Sequence, residues 1–345
     1  MKIKNKRSVF YLFGALLISS VVIGSFCQTE FRPLPDVEAT TVTQSGEATH
    51  KYPPVDVDMT LKQVGKHSWY VQGKAGIATD NKGFISNAGV IVTNKGVVVF
   101  DALGTPSLAW KLVQKIRKLT DKPIVKVVMS HYHADHIYGL QVFKELGAQI
   151  IAPDGVYDYI DSEGARERLE ERRLSLDPWV NDDTYIVKPD KILDKGESFK
   201  VGDVTFTINV IGPAHSDGDM TLYVENDRVL FSGDIIFEGR LPLLGNNNTK
   251  HWLNTLQTMQ TEKLRALVPG HGPAAKEPAR ALTLTRDYLA FIREKMAAAV
   301  EDLTEFDEVY NSVDWSRFKS LPAFKEANRK NAFQVYLSLE AEGDP

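Results

Sequence analysis

Apolar positions along this chain fall into two rhythms, and the alternation between them predicts the elements. Short, dense apolar runs read as buried strands. They occupy residues 89–93, 97–100 and 124–129, then 184–187, 204–210, 221–224 and 229–231. Asn94-Lys95-Gly96 joins the first two runs as a hairpin. Earlier, from Thr60 onward, short β-type runs alternate with turns such as Gly73-Lys74 and Asp80-Asn81-Lys82-Gly83. Helical spacing appears at Leu108, Leu112, Val113, Ile116 and Leu119, and a second helix is predicted over 138–146, stopped by Gly147. Residues 165–174 are heavily charged and read as a solvated helix. After Gly272 the rhythm is helical throughout. One long helix is predicted over 278–300, followed by a shorter tail carrying Trp315, Phe318, Phe324, Phe333, Tyr336 and Leu337. That aromatic series reads first as packing against the main body.

The ends of the chain follow different rules. Lys2, Lys4, Lys6 and Arg7 precede an apolar stretch over 9–23, the pattern of a secretory signal peptide and short for a membrane span. Residues 1–27 are therefore expected to be a leader, with an uncleaved signal anchor as the alternative. Residues 28–56, rich in Thr, Pro and Glu, are expected to be a linker. The sole cysteine, Cys27, excludes an intramolecular disulfide. Its place after the apolar stretch raises lipid attachment, but Phe26 stands where a lipoprotein signal needs a small residue. Export to a periplasm is the expectation.

Composition changes the picture only by exclusion. With 345 residues, 43% of them hydrophobic, the chain can bury a core without disulfides. The formal charge is −4, and 41 basic residues less the leader's 4 leave 37 against 45 acidic ones, about −8. No basic block lies outside the N-terminus, so no nucleic-acid partner is expected.

The chemistry begins at His131-Tyr132-His133-Ala134-Asp135-His136, directly after the strand over 124–129. Three imidazoles and a carboxylate this close cannot all serve one metal, but a sharp turn would divide them between two. Ligands without thiolates suit zinc, with iron or manganese possible. Three further candidates follow apolar runs and sit beside glycine or proline. They are His215 in Gly212-Pro213-Ala214-His215, Asp234 in Ser232-Gly233-Asp234, and His271 in Pro269-Gly270-His271-Gly272. Gly-x-Ser-x-Gly and cysteine nucleophiles are absent.

On these residues the chain, from about Thr60 to Gly272, resembles the metallo-β-lactamase superfamily. The resemblance implies an α+β fold, a four-layer αββα sandwich, with a catalytic domain at 57–275 and a C-terminal helical extension at 276–345. It implies two Zn2+ per chain: one on His131, His133 and His215, the other on Asp135, His136 and His271, with Asp234 bridging. Water activated between the metals would attack an acyl bond of a small molecule (β-lactam, lactone, ester or thioester), and Asp135 would orient it and carry its proton. Asp101, ending Gly96-Val97-Val98-Val99-Phe100-Asp101, matches the family's early aspartate, which would orient a ligating histidine; a turn-capping role is the alternative.

The substrate is less determined. Asp234 replaces the cysteine of the best-known penicillin-cleaving members and resembles glyoxalase II, lactonase and esterase branches. Gly245-Asn246-Asn247-Asn248 resembles the asparagine loop of β-lactamases and makes Asn246 a candidate substrate contact, although a polar loop reads equally simply. Phe237 stands where those enzymes bind a carboxylate with lysine, leaving Arg240 as the substitute cation. The layout of leader, αββα domain and aromatic helical tail is similar to exported, quinoprotein-associated metallohydrolases. The competing expectations are a mononuclear iron enzyme of the persulfide-dioxygenase type and a non-catalytic exported metal-binding protein.

Overall fold

The protein was analysed as a computed structural model, which describes residues 40–42, 48–244 and 248–343. The signal-peptide and Cys27 expectations, and Asn246, lie outside the described residues. Among the described residues, no helix is long and apolar enough to cross a membrane.

Two sheets dominate the fold. The larger orders Lys62–Gln63, Ser68–Val71, Ala88–Val92, Val97–Phe100, Ile124–Val128, Gln149–Pro153 and Lys191–Leu193 in sequence. Its first four strands are antiparallel and its last four parallel. The second contains Glu197–Val201, Val204–Gly212, Asp219–Val224, Val229–Phe237 and Ala266–His271, the last pair parallel. The sheets pack face to face: Ile91, Val98, Phe100, Val128 and Ile151 of one meet Phe206, Ile208, Leu222 and Phe231 of the other in one buried cluster. Alternate residues of a strand point to opposite faces. The intervening positions, such as Val90, Val97, Val99 and Val127, pack outward beneath the helix Pro106–Leu119. The outer face of the second sheet is covered by Thr249–Thr258 and Pro278–Glu301, with Phe306–Ser312 and Phe324–Gly343 beyond. The layers are therefore α, β, β, α, with a C-terminal helical region.

Local chemistry explains the element boundaries. Thr105 caps Pro106–Leu119, its hydroxyl accepting from the Leu108 amide at 3.0 Å, and Pro106 opens the helix without a wasted donor. Leu108, Leu112, Val113 and Ile116 are fully buried along its inner stripe, each worth about 1.5–3 kcal/mol of transfer free energy. The charged helix Glu163–Ser175 buries only Ala165 and Leu169, as its composition predicts.

Three expectations change. Residues 184–187 form no strand, because their first amides bond elsewhere: the Thr184 amide donates to the Asn181 carbonyl, and the Tyr185 amide to Gln141 Oε1. The helix expected over 138–146 is present but shorter, Leu140–Glu145, and opens after Gly139, where a Cβ would collide with the Ala102 carbonyl; a separate single turn, Ala134–Ile137, precedes it. The segment expected as linker up to residue 56 already enters the core at Tyr52 and Val55, with Tyr52 donating to Glu145.

Candidate metal centre

The parallel strands deliver the site. Chain leaving the C-terminal end of Ile124–Val128 runs into Ser130 and His131, and His133 then becomes the N-cap of the single-turn helix Ala134–Ile137. That reversal separates the close-spaced ligand types: His131 and His133 fall on one side, Asp135 and His136 on the other. His215 lies in the loop joining Val204–Gly212 to Asp219–Val224. The buried Asp219 carboxylate accepts there from the amides of Ser216 (2.7 Å) and Ala214 (3.3 Å). His271 is the final residue of Ala266–His271. Asp234 does not follow its strand, as the apolar run suggested, but sits inside Val229–Phe237, whose register against its parallel neighbour shifts around Gly233. Gly270 opposes it, and a Cβ there would overlap the Asp234 carboxylate, so only glycine lets the two strands close at this point.

All seven expected ligand-type residues converge. His133 Nδ1 lies 2.9 Å from both His131 Nε2 and His215 Nε2. One ring nitrogen cannot satisfy two such neighbours in its own plane. Three nitrogens aimed at one point match a metal's ligand set instead. A second group brings together Asp135, His136 and His271. His271 Nε2 is 3.2 Å from Asp135 Oδ2, and His136 Nε2 is 3.5 Å from the same oxygen. Asp234 stands between the groups, Oδ2 lying 3.3 Å from His215 Nε2 and 3.2 Å from His271 Nε2, and Oδ1 3.4 Å from His136 Nε2. The donor set of five imidazoles and two carboxylates fits two divalent cations sharing Asp234.

The backs of the rings are held as well. Asp101 Oδ2 accepts from His136 Nδ1 at 2.9 Å and from Ser130 Oγ at 2.8 Å, while its Oδ1 accepts from the Ser130 amide. Of the two readings of Asp101, the contact with His136 is the one the geometry contains. Ser130 Oγ also meets His131 Nδ1 at 2.9 Å, and His271 Nδ1 donates to the Ile85 carbonyl at 2.8 Å. Such outer bonds set which ring nitrogen faces inward. Phe237 stacks parallel to His271 and Trp252 meets His215 edge-on, closing the floor with apolar rings.

Electrostatics divide the cluster. Burial, reinforced by neighbouring imidazoles, pushes His131 well down, and burial outweighs the Asp234 charge to hold His215 at about 3. His133 is also lowered, chiefly by burial. For His136, burial is overcome by Asp135, Asp234 and Asp101, which raise it to about 10; His271 is likewise raised against burial by Asp234 and Asp135. Burial alone would raise Asp135 and Asp234, but the facing imidazoles hold both carboxyls low.

Ser130, Asn87 and Asp219 were not read as site residues. Ser130 adjoins His131 and a search for hydroxyls beside ligands would have found it. Asn87, whose side chain donates to the Pro269 and Gly272 carbonyls flanking His271, carries no local signal.

A two-sheet sandwich with a cluster of metal-ligating side chains at its strand ends defines a class of candidate metal-binding proteins. The profile of the metallo-β-lactamase superfamily matches residues 81–271, and the chain belongs to that superfamily of hydrolases. It is 23% identical over 242 residues to a linear primary-alkylsulfatase of Pseudomonas sp., covering 60% of this chain and 46% of that protein. It is 25% identical over 221 residues to the metallo-β-lactamase type 2 of Elizabethkingia meningoseptica, covering 63% of this chain and 80% of that one. The solved structure of a stereoselective inverting sec-alkylsulfatase from Pseudomonas sp. superposes with a TM-score of 0.64 at 19% identity, over 81% of this chain and 50% of that one. The chain thus spans about half the length of the alkylsulfatases it matches.

Proposed function

We propose that this protein is an exported, dinuclear zinc hydrolase that cleaves an acyl bond of a small molecule in the cell envelope. The observation that carries the reading is the convergence of the His131, His133 and His215 nitrogens beside a second complete group, with Asp234 between the two. His131, His133 and His215 would hold one ion, Asp135, His136 and His271 the other. When bound, such ions would supply Lewis acidity and lower the pKa of a water toward neutrality.

The chain's own residues do the rest. Asp135 is 20% exposed while Asp234, His136, His215 and His271 are at most 3% exposed. It is therefore the carboxylate of this set placed to receive a proton from an attacking water and pass it to solvent or to the leaving group. Asp101 and the Ile85 carbonyl hold His136 and His271 in one tautomer. Phe237 and Trp252 exclude water from the floor, which strengthens every charge interaction above it. Asn246 remains a proposed substrate contact.

The bond type is chosen by experiment. Zinc-loaded mature protein is assayed against a chromogenic cephalosporin and a panel of lactones, esters and thioesters, with and without chelator. Chelator-sensitive turnover of any of these supports the reading, and turnover of none overturns it. Elemental analysis separates the mononuclear iron alternative: one iron per chain and no second metal would replace the zinc pair.

A further inference from the structure

Tyr132 stands between two ligand-type histidines in the sequence, and its hydroxyl is bonded to a distant loop. It donates to Asp217 Oδ2 at 2.8 Å, across 85 positions of the chain. Asp217 lies two residues beyond His215. The bond therefore joins the two segments whose imidazoles, His133 and His215, stand 2.9 Å apart nitrogen to nitrogen. The phenol ring is itself held in place. Tyr159 of the helix Val156–Ile160 lies nearly flat on it, with centroids 4.4 Å apart at 15°, and His133 meets it edge-on at 5.3 Å. Tyr132 is buried and Asp217 is exposed, and among the described residues Asp217 belongs to none of the metal-ligand groups.

Other fastenings of the His215 loop act within it or at its base. The Asp219 carboxylate accepts from the Ala214 and Ser216 amides, and Ser216 Oγ donates to the Gly218 carbonyl. These bonds shape the loop without setting its distance from residues 131–133. At the base, the Met220 amide donates to the Ser130 carbonyl at 2.9 Å, and His251 Nδ1 donates to the Pro213 carbonyl at 2.7 Å. The tip is seated on the turn that follows the strand Gln149–Pro153. A Cβ on Gly155 would stand 2.6 Å from the Asp217 carbonyl oxygen, and one on Gly218 would stand 2.6 Å from the Gly155 amide nitrogen. Two glycines thus let the turns touch, and Tyr132 ties the Asp217 side chain back to the segment bearing His131 and His133.

We propose that Tyr132 and Asp217 form a clasp that holds the His215 loop against residues 131–133, so that His131, His133 and His215 are positioned before an ion arrives. The inference rests on reading those three histidines as one zinc site, and it adds two positioning residues to that site. Ligands ordered in advance bind more tightly, because less conformational freedom is lost on binding.

The test measures zinc dissociation constants for both equivalents by competition with a chromogenic chelator, and follows amide exchange of residues 214–218 in metal-free protein. In Tyr132→Phe, which keeps the stacked ring and removes the donor, one zinc constant should rise about tenfold, the worth of one hydrogen bond to a carboxylate, while the other changes less than about threefold. Exchange in the loop should quicken by about the same tenfold, because the clasped state is what protects it. Asp217→Ala should reproduce both effects, and at an exposed position it serves if the tyrosine variant does not fold. Asp217→Asn, which keeps an acceptor, should retain most of the affinity. The double variant Tyr132→Phe/Asp217→Ala should lose no more than either single one, since both remove the same bond. Additive losses, or losses shared equally by the two zinc equivalents, would overturn the proposal. Faster exchange with both zinc constants unchanged would make the bond structural only and overturn it as well. Should the parent protein bind no zinc, the metal reading fails, and exchange in the loop still decides the clasp.

Discussion

The two halves of the metal centre are built from similar side chains and are electrostatic opposites. His131, His133 and His215 meet one another nitrogen to nitrogen, all pushed toward the neutral form by burial. Asp135, His136 and His271 meet as acid and base, the imidazoles raised by facing carboxylates. A metal needs neutral imidazole and ionised carboxylate. The first half presents its ligands ready, whereas the second holds protons that a metal must displace. Were two ions bound as proposed, their binding would depend on pH differently, because the three carboxylates that act on His136, namely Asp101, Asp135 and Asp234, are not shared evenly.

The comparison can be broken most severely in its neutral half. His215→Ala removes one of three nitrogens from a group with no spare donor, and chelator-sensitive turnover should fall at least about a thousandfold, the several kcal/mol expected of a lost Lewis acid. Steady-state rates alongside zinc content measure it. Asp101→Asn acts first on the charged half: it weakens the bond to His136 Nδ1 and should reduce affinity for the second ion about ten- to a hundred-fold, with a smaller loss at the first through Ser130 Oγ and His131, as competition with a chromogenic chelator would show.

The contrast sharpens with pH. His136 in the metal-free protein is raised to about 10, so between its ordinary value and that one each lower pH unit should weaken second-ion binding about tenfold. His215, neutral above about 3, imposes no such dependence on the first. Calorimetry in buffers of different ionisation enthalpy should detect proton release with the second equivalent, and equal release with both would remove the asymmetry.

The smallest effect concerns Asp219, which braces the His215 loop. Burial raises its carboxyl to about 7, so the folded state binds a proton that the unfolded chain has already released. Its contribution to stability therefore falls as pH rises from about 4 to 7. In Asp219→Asn the Tm profile over that window should be flatter than in the parent protein.

Much of this site was legible because its parts are local. The spacing of residues 131–136 after a strand, and a ligand type beside glycine at 215, 234 and 271, are short-range patterns that need no knowledge of the fold. That a sharp turn could divide the ligands was legible in the spacing, whereas the membership of the two groups came from the superfamily resemblance. Apolar periodicity placed a long helix over 278–300, observed as Pro278–Glu301, and a hairpin over 89–100, observed as Ala88–Val92 against Val97–Phe100, for the same reason: burial of one face repeats every few residues. It failed at residues 184–187, where the Asn181 backbone carbonyl and the Gln141 side chain took the Thr184 and Tyr185 amides a strand would have used.

By itself, then, the sequence determined the ligand types, the strands that carry them and the superfamily resemblance, all encoded within a few residues of each other. Only the tertiary structure decided which nitrogens face inward, that Asp234 lies within a strand and between two groups, and that Asn331 of the C-terminal helices holds the backbone at Pro242 and Leu244. Those facts depend on contacts between positions as far apart as Ile85 and His271, or Pro242 and Asn331. Such pairings are set by how sheets and helices pack to bury their apolar faces, and no short window of sequence contains them.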